Sequence, residues 1–146
     1  MRVYLDLCCL KRPFDDQTQP RIHAESEAIL AILVRGLSKM EFVQTPALHL
    51  ENEQNPVFHR ANWVRQWLNR QTERIPPEPE VTQRTAELIN LGFKNFDAFQ
   101  LASAELIGTK VFVSCDDRLV AAGRRNAKQL RVEVKDLLSF VAEALP

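Results

Sequence analysis

The feature that most limits what this chain can fold into is the alternation of short β-branched strand segments with amphipathic helical ones. RVYLD at 2–6 alternates, carries Val and Tyr, and ends on a carboxylate, which reads as a short buried strand. EFVQT at 41–45, TKVFVS at 109–114 and RVEV at 131–134 read the same way. Helical patterns lie between them. Ile22, Ile29, Ile32, Leu33 and Leu37 follow helical spacing after Pro20, a residue suited to a first helical turn, and imply a core-facing helix of roughly five turns. Thr45-Pro46 resembles an N-cap followed by proline, opening a short helix through ALHLENEQ that stops at Asn55-Pro56. Val57, Ala61, Val64 and Leu68, flanked by Trp63 and Trp67, mark a helix over 57–72.

Further helices are expected over 80–91, over NFDAFQLASAELIG, over DDRLVAAGRR and over DLLSFVAEAL. LKRPFDDQTQP at 10–20 reads as a loop, and IPPEPE at 75–80 as a rigid connection too short to separate domains. The chain has 146 residues, 45% of them hydrophobic, enough for one core but not two full domains. Parallel neighbours need crossover connections, usually helical, so the alternation specifies an α/β domain with a parallel sheet covered on both faces. Functional loops then gather at the carboxyl ends of the strands.

Carboxylates lie at those ends. Asp6 closes the first strand, Glu51 follows the second by two turns, Asp97 opens the small-residue helix, and Asp116 follows the strand at 109–114. Taken singly, Asp97 and Asp116 also read as helix-start residues and Glu51 as a solvated charge. Asp6 is harder to explain that way, because an acid directly after a buried strand is costly without a partner or a solvent-filled cleft. Gathered carboxylates repel one another unless a cation neutralises them. Mg²⁺ or Mn²⁺ is the natural cofactor, being a hard ion that takes oxygen ligands and can activate water for attack on a phosphodiester.

RVYLDLCCL, TPALHLENE, NFDAFQLASAELIG and VFVSCDDRL, in that order, resemble the PIN-domain superfamily of metal-dependent ribonucleases across essentially the whole chain. The resemblance implies a three-layer α/β/α PIN-like fold with a central parallel sheet of four or five short strands. It also implies an acidic site of Asp6, Glu51, Asp97 and Asp116 holding Mg²⁺ or Mn²⁺, and cleavage of RNA. Asp117 is then the helix-start residue. Many small single-domain members resemble the toxin of a type II toxin–antitoxin pair (VapC-like), usually a homodimer inhibited by an antitoxin protein. The family's usual Thr-Asn or Thr-Ser after the first acid is Leu7-Cys8 here, so a polar contact to the metal's ligands is expected to be missing; Ser114 stands where Thr is often found. A catalytically silent PIN-like protein-binding module is the alternative. An aspartate-nucleophile phosphatase is disfavoured, because Cys8 stands where it would need a second carboxylate.

Nineteen Lys and Arg balance nineteen Asp and Glu, which excludes a uniformly basic nucleic-acid coat and makes any RNA contact local. Arg118, Arg124, Arg125, Lys128 and Arg131 are the densest basic run, with Arg118, Arg124 and Arg125 the candidate RNA contacts; Arg60, Arg65 and Arg70 are further candidates. Trp63 and Trp67 read as core, with a dimer or antitoxin surface as the other use. His49 and Glu53, four apart, read as an ordinary surface pair rather than a second metal site. Asp15 and Asp16 read as turn residues, with replacement carboxylates for the acidic site as the other use. Cys8, Cys9 and Cys115 have neither metal-ligand spacing nor a disulfide framework and read as free buried thiols. No run approaches the roughly 20 apolar residues of a membrane span, and MRVYLDLCCL lacks the pattern of a secretory leader, so a cytoplasmic location is expected.

Overall fold

All strand pairing in the central sheet is parallel. β1 (Arg2–Leu5), β2 (Glu41–Gln44), β3 (Thr72–Glu73), β4 (Val111–Ser114) and β5 (Glu133–Asp136) are hydrogen-bonded in the order β3-β2-β1-β4-β5. The structure, a computed structural model, describes residues 1–35 and 38–145; Leu37, assigned by spacing to the first long helix, lies outside them. β1 is central, with Tyr4 opposite Val43 on one side and Phe112 on the other. Val3, Tyr4 and Leu5 are wholly buried, as a parallel strand covered on both faces requires.

Among the described residues eight helices cover the sheet in a three-layer α/β/α arrangement: α1 (Leu7–Lys11), α2 (Pro20–Arg35), α3 (Pro46–Glu53), α4 (Phe58–Arg70), α5 (Glu78–Asn90), α6 (Asn95–Leu106), α7 (Asp117–Arg125) and α8 (Leu137–Ala144). The chain winds outward from β1 through β2 to β3, then returns across the sheet to β4 and β5. Right-handed crossovers in opposite directions place their helices on opposite faces. α2 accordingly packs with α1 and α8, and α5 packs with α6. Strand order reverses between β1 and β4, and a cleft beyond the carboxyl ends of the strands is expected at such a switch point.

Three features depart from the sequence reading. Part of the expected loop at 10–20 is ordered as the end of α1 and a 3-10 turn at Arg12–Phe14, because Arg12 ties the segment to Asp15 (2.9 Å) and to Glu25 (3.1 Å). Thr72 leaves the expected helix and with Glu73 forms β3, a two-residue edge strand too short to show periodicity. The last strand begins at Glu133 rather than Arg131 and runs to Asp136, whose carboxylate caps α8 by accepting from the Ser139 N–H (2.9 Å).

Candidate metal centre

The four predicted acids line one cavity of about 310 Å³ beside the β1/β4 switch point, together with Leu7, Cys8, Lys11, Gln54, Asn55, Pro56 and Phe96. Asp6 is fixed most tightly. Its N–H donates to the Val113 carbonyl (2.8 Å), extending the β1–β4 ladder by one residue, and its side chain turns over the end of the sheet. There Oδ1 accepts from the Leu7 N–H (2.8 Å), while Oδ2 accepts from the Ser114 hydroxyl (2.8 Å) and the Cys8 thiol (3.3 Å). The polar contact expected to be missing at Leu7-Cys8 is therefore present: Cys8 makes one itself, and Ser114 reaches across from the neighbouring strand.

Asp116 caps α7, with Oδ1 accepting from the Arg118 N–H (2.9 Å) and the Leu119 N–H (3.4 Å). The helix does start at Asp117, as expected, and Asp116 is the cap that precedes it. Asp117 is the first residue inside α7, and its carboxylate is held by Arg21 through two contacts of 2.6 and 2.7 Å. Capping uses one oxygen of Asp116, and among the described residues the other has no hydrogen-bond partner. Asp97 stands in the first turn of α6 without capping it, and Glu51 lies near the end of α3. Among the described residues neither the Glu51 nor the Asp97 carboxylate has a hydrogen-bond or ion-pair partner.

α3 and α6 are set in place by a polar network that the sequence reading missed. The Tyr4 hydroxyl, wholly buried on β1, bonds the Thr45 hydroxyl (2.7 Å) and donates to Gln100 Oε1; Gln100 Nε2 donates to the Ala47 carbonyl (3.0 Å). Thr45 stands at the N-cap position of α3 with Pro46 after it, as expected, but spends its hydroxyl on Tyr4 rather than on a cap bond. Gln100 lies three residues after Asp97 and so on the same side of α6. The one available signal was a polar residue, Gln100, inside an otherwise small and apolar helical stretch.

Burial pushes the Asp6 carboxyl well above the usual carboxylate range, with the adjacent thiol and Asp97 adding to it and the Ser114 hydroxyl opposing. Burial first, then repulsion from Asp6, raises Glu51 to about 7, against the pull of Lys11. Asp97 is raised by burial and by the charge of Asp116. These groups form an all-oxygen donor set with unneutralised charge, which is what a hard divalent ion completes. Among the described residues, however, no three of their oxygens lie within 4.8 Å of one another; the one trio of potential ligands that does is Cys8, Cys9 and Cys115. Direct ligation of one ion by three of the acids would need them to converge on it. Mg²⁺ usually keeps several waters and rests on one or two carboxylates, so the donor set fits an ion held partly through water.

The remaining candidates lie elsewhere. Arg124 and Arg125 are exposed eight and nine residues beyond Asp116, roughly 12 Å along α7, and Arg124 pairs with Asp136 (3.3 Å). Arg118 is exposed in the first turn of the same helix. The cation that lines the acidic cavity is Lys11, which the sequence reading had placed in a loop. Arg65, His49 and Phe58 line an adjoining cavity of about 570 Å³ that shares Asn55 and Pro56 with the first. His49 Nε2 is engaged by Gln44 Oε1 (2.8 Å) rather than by Glu53. Arg60 stacks over Phe14 and Arg70 over Trp67, while Trp63 and Trp67 are half-buried against Phe14 and each other. Asp15 and Asp16 are taken up by Arg12 and by an Asx turn to Thr18 (3.0 Å).

No protein-family model matches the chain, and no curated protein does. Among solved structures, the chain is similar to PAE2754 from Pyrobaculum aerophilum, with a TM-score of 0.54 and 14% identity over 99% of this chain and 98% of that one. At that identity the likeness is one of fold, shared from end to end. No helix among the described residues is long and apolar enough to cross a membrane.

Proposed function

We propose that this protein is a Mg²⁺- or Mn²⁺-dependent ribonuclease of the PIN type. The observation that carries the reading is the meeting of Asp6, Glu51, Asp97 and Asp116, spread over 110 positions of sequence, at one cavity beside the switch point of the sheet. Asp6, Glu51 and Asp97 would hold the ion directly or through water, with the uncapped oxygen of Asp116 completing the set. When bound, the ion would supply charge neutralisation for the phosphodiester and an activated water. Ser114 and Cys8 orient Asp6 by donating to Oδ2, and the Tyr4–Gln100 network ties β1 to α3 and α6, the helices that carry Glu51 and Asp97.

The adjoining cavity gives a single strand of RNA a path away from the acids. Phe58 offers an exposed ring for a base and Arg65 a charge for a phosphate, with Lys11 supplying positive charge at the acids themselves. Arg118 is the member of the basic run nearest the site, and Arg124 and Arg125 would extend phosphate contact along α7. In the same reading the protein is the toxin of a type II toxin–antitoxin pair, a cytoplasmic homodimer silenced when an antitoxin segment occupies the acidic cavity.

Incubating the protein with single-stranded RNA, with Mn²⁺ or with chelator, tests the activity. Cleavage is expected with the ion and not without it, and Asp6→Asn and Asp97→Asn are each expected to abolish it. Undiminished cleavage by both variants refutes the assignment. The wider spacing of the acids favours a second reading, a silent PIN-like module acting through protein contact. A metal titration followed by thermal unfolding separates the two, because only a site that binds the ion raises the melting temperature by mass action.

A further inference from the structure

The three cysteines, far apart or merely adjacent in sequence, meet in space. Cys8 and Cys9 lie in the first turn of α1 and Cys115 directly follows β4, and the β1–β4 pairing brings these strand ends side by side. The sulfurs of Cys9 and Cys115 are 3.7 Å apart, and all three lie within 4.8 Å of one another. All three are free thiols. Cys9 and Cys115 are buried, whereas Cys8 is partly exposed and lines the acidic cavity, so the cluster has an entrance.

We propose that Cys8, Cys9 and Cys115 form a binding site for one thiophilic closed-shell metal ion, Cu(I) or Zn²⁺. An ion about 2.3 Å from each sulfur sets sulfur–sulfur separations of roughly 3.8 Å for tetrahedral and 4.0 Å for trigonal angles. The 3.7 Å between Cys9 and Cys115 already matches, and the upper bound of 4.8 Å leaves adjustments of at most about an ångström. The surroundings suit a metal thiolate. The Cys115 N–H donates to Cys8 Sγ (3.3 Å), the Ser114 hydroxyl lies 3.4 Å from the same sulfur, and such contacts orient and tune a ligand. As the metal–sulfur bonds form, each thiol releases its proton to solvent, three for each ion bound. Three sulfurs satisfy Cu(I) alone, and Zn²⁺ would add a water as fourth ligand. Hard Mg²⁺ does not compete for sulfur, so this site is chemically distinct from the oxygen-lined cavity that Cys8 borders.

The test uses the whole reduced chain in excess Mg²⁺, titrated with Cu(I) alone or Zn²⁺ alone against a competing chelator. One ion per chain is expected. X-ray absorption should show about 2.3 Å metal–sulfur bonds, three to Cu(I), or three together with one oxygen for Zn²⁺. Cys9→Ala and Cys115→Ala are expected to weaken binding by at least ~100-fold, beyond what loss of an outer contact produces. Asp6→Asn should keep the ion, so the result is independent of whether the acidic cavity proves to be a metal centre. A reduced wild-type chain that takes up neither ion, a spectrum showing only oxygen and nitrogen ligands, or an ion retained by the folded Cys9→Ala/Cys115→Ala double variant overturns the proposal. The wild-type spectrum decides even where the variants fail to fold.

Discussion

Replacing Glu51 with Gln removes a half-buried negative charge at nearly constant shape, and the metal-free protein is expected to become more stable. Glu51 rises from an ordinary 4.5 to about 7 through burial first and the charge of Asp6 second. At 1.36 kcal/mol per tenfold change in proton affinity, that corresponds to roughly 3 kcal/mol. Solvent still reaches the side chain, and screening reduces this to about 1–2 kcal/mol. Below pH 4.5 the carboxyl is protonated in both folded and unfolded chains, and wild type has its full stability from this group. Between 4.5 and 7 the unfolded chain gives up the proton that the native chain keeps, so stability falls as pH rises, levelling off above 7. The amide of the Glu51→Gln variant does not titrate and carries no such dependence. Urea unfolding in chelator should find Glu51→Gln equal to wild type at about pH 4 and more stable by about 1–2 kcal/mol at about pH 8, a rise of roughly 2–8 °C in melting temperature. Added Mg²⁺ should stabilise wild type more than the variant and close the gap. A variant less stable than wild type at high pH in chelator, or a difference that does not change with pH, would show that burial and repulsion are not what raises this group.

Gly123→Ala is expected to cost about 1–3 kcal/mol in chemical unfolding, because a Cβ there would stand 2.7 Å from the Val134 side chain where α7 crosses β5. Arg84→Met should cost about 3–5 kcal/mol by stranding the buried Glu105 carboxylate, which Arg84 contacts at 2.6 Å; adding Glu105→Gln should recover part of the loss, and no recovery would count against the pairing. Tyr4→Phe, measured the same way, should cost about 1–3 kcal/mol by leaving Thr45 and Gln100 short of a partner. If Arg124 and Arg125 each contact a phosphate of single-stranded RNA, their joint replacement by Ala should lower the slope of log affinity against log salt by about 1.4, and an unaltered slope removes them from the RNA surface.

The fold was legible because parallel α/β architecture writes itself into sequence twice, in short β-branched runs and in the helical spacing between them. Pro20 and Pro46 each stand at the first position of a helix, as their fixed φ favours. What escaped was structure determined by long-range partners. α1 follows Asp6 so closely that its five residues show no period, and the adjoining 3-10 turn depends on Glu25, thirteen residues away from Arg12. Glu25 itself, wholly buried on a helix face read only for its isoleucines, is unreadable without knowing that Arg12 and Arg21 come to it. At the candidate site all four acids were legible one by one, since Asp6, Asp97 and Asp116 sit where a strand ends or a helix begins and Glu51 lies on the short helix that follows β2. Their separation was not, and neither was the thiol trio: linear spacing between Cys9 and Cys115 conceals that β1 and β4 are neighbours.

The treatment of buried acids elsewhere in the molecule bears on what the cavity is for. Glu25 is enclosed by Arg12 and Arg21, and Glu105 by Arg84 and the Arg131 N–H. With nineteen Lys and Arg to draw on, the chain neutralises a buried carboxylate from within at both places. In the acidic cavity it does not. Among the described residues Asp6, Glu51 and Asp97 have no ion-pair partner, Lys11 acts on Glu51 only at a distance, and all three carboxyls are raised by burial. A purely structural arrangement gains nothing from that: amides or apolar residues would fill the same space without the repulsion, which is why Glu51→Gln is expected to stabilise the metal-free chain. The deficit of positive charge is local, confined to the switch point of the sheet, and a cation from solution would remove it. Metal-dependent stabilisation that disappears with Asp6→Asn is therefore the most direct test of the proposed metal centre, and it needs no RNA substrate.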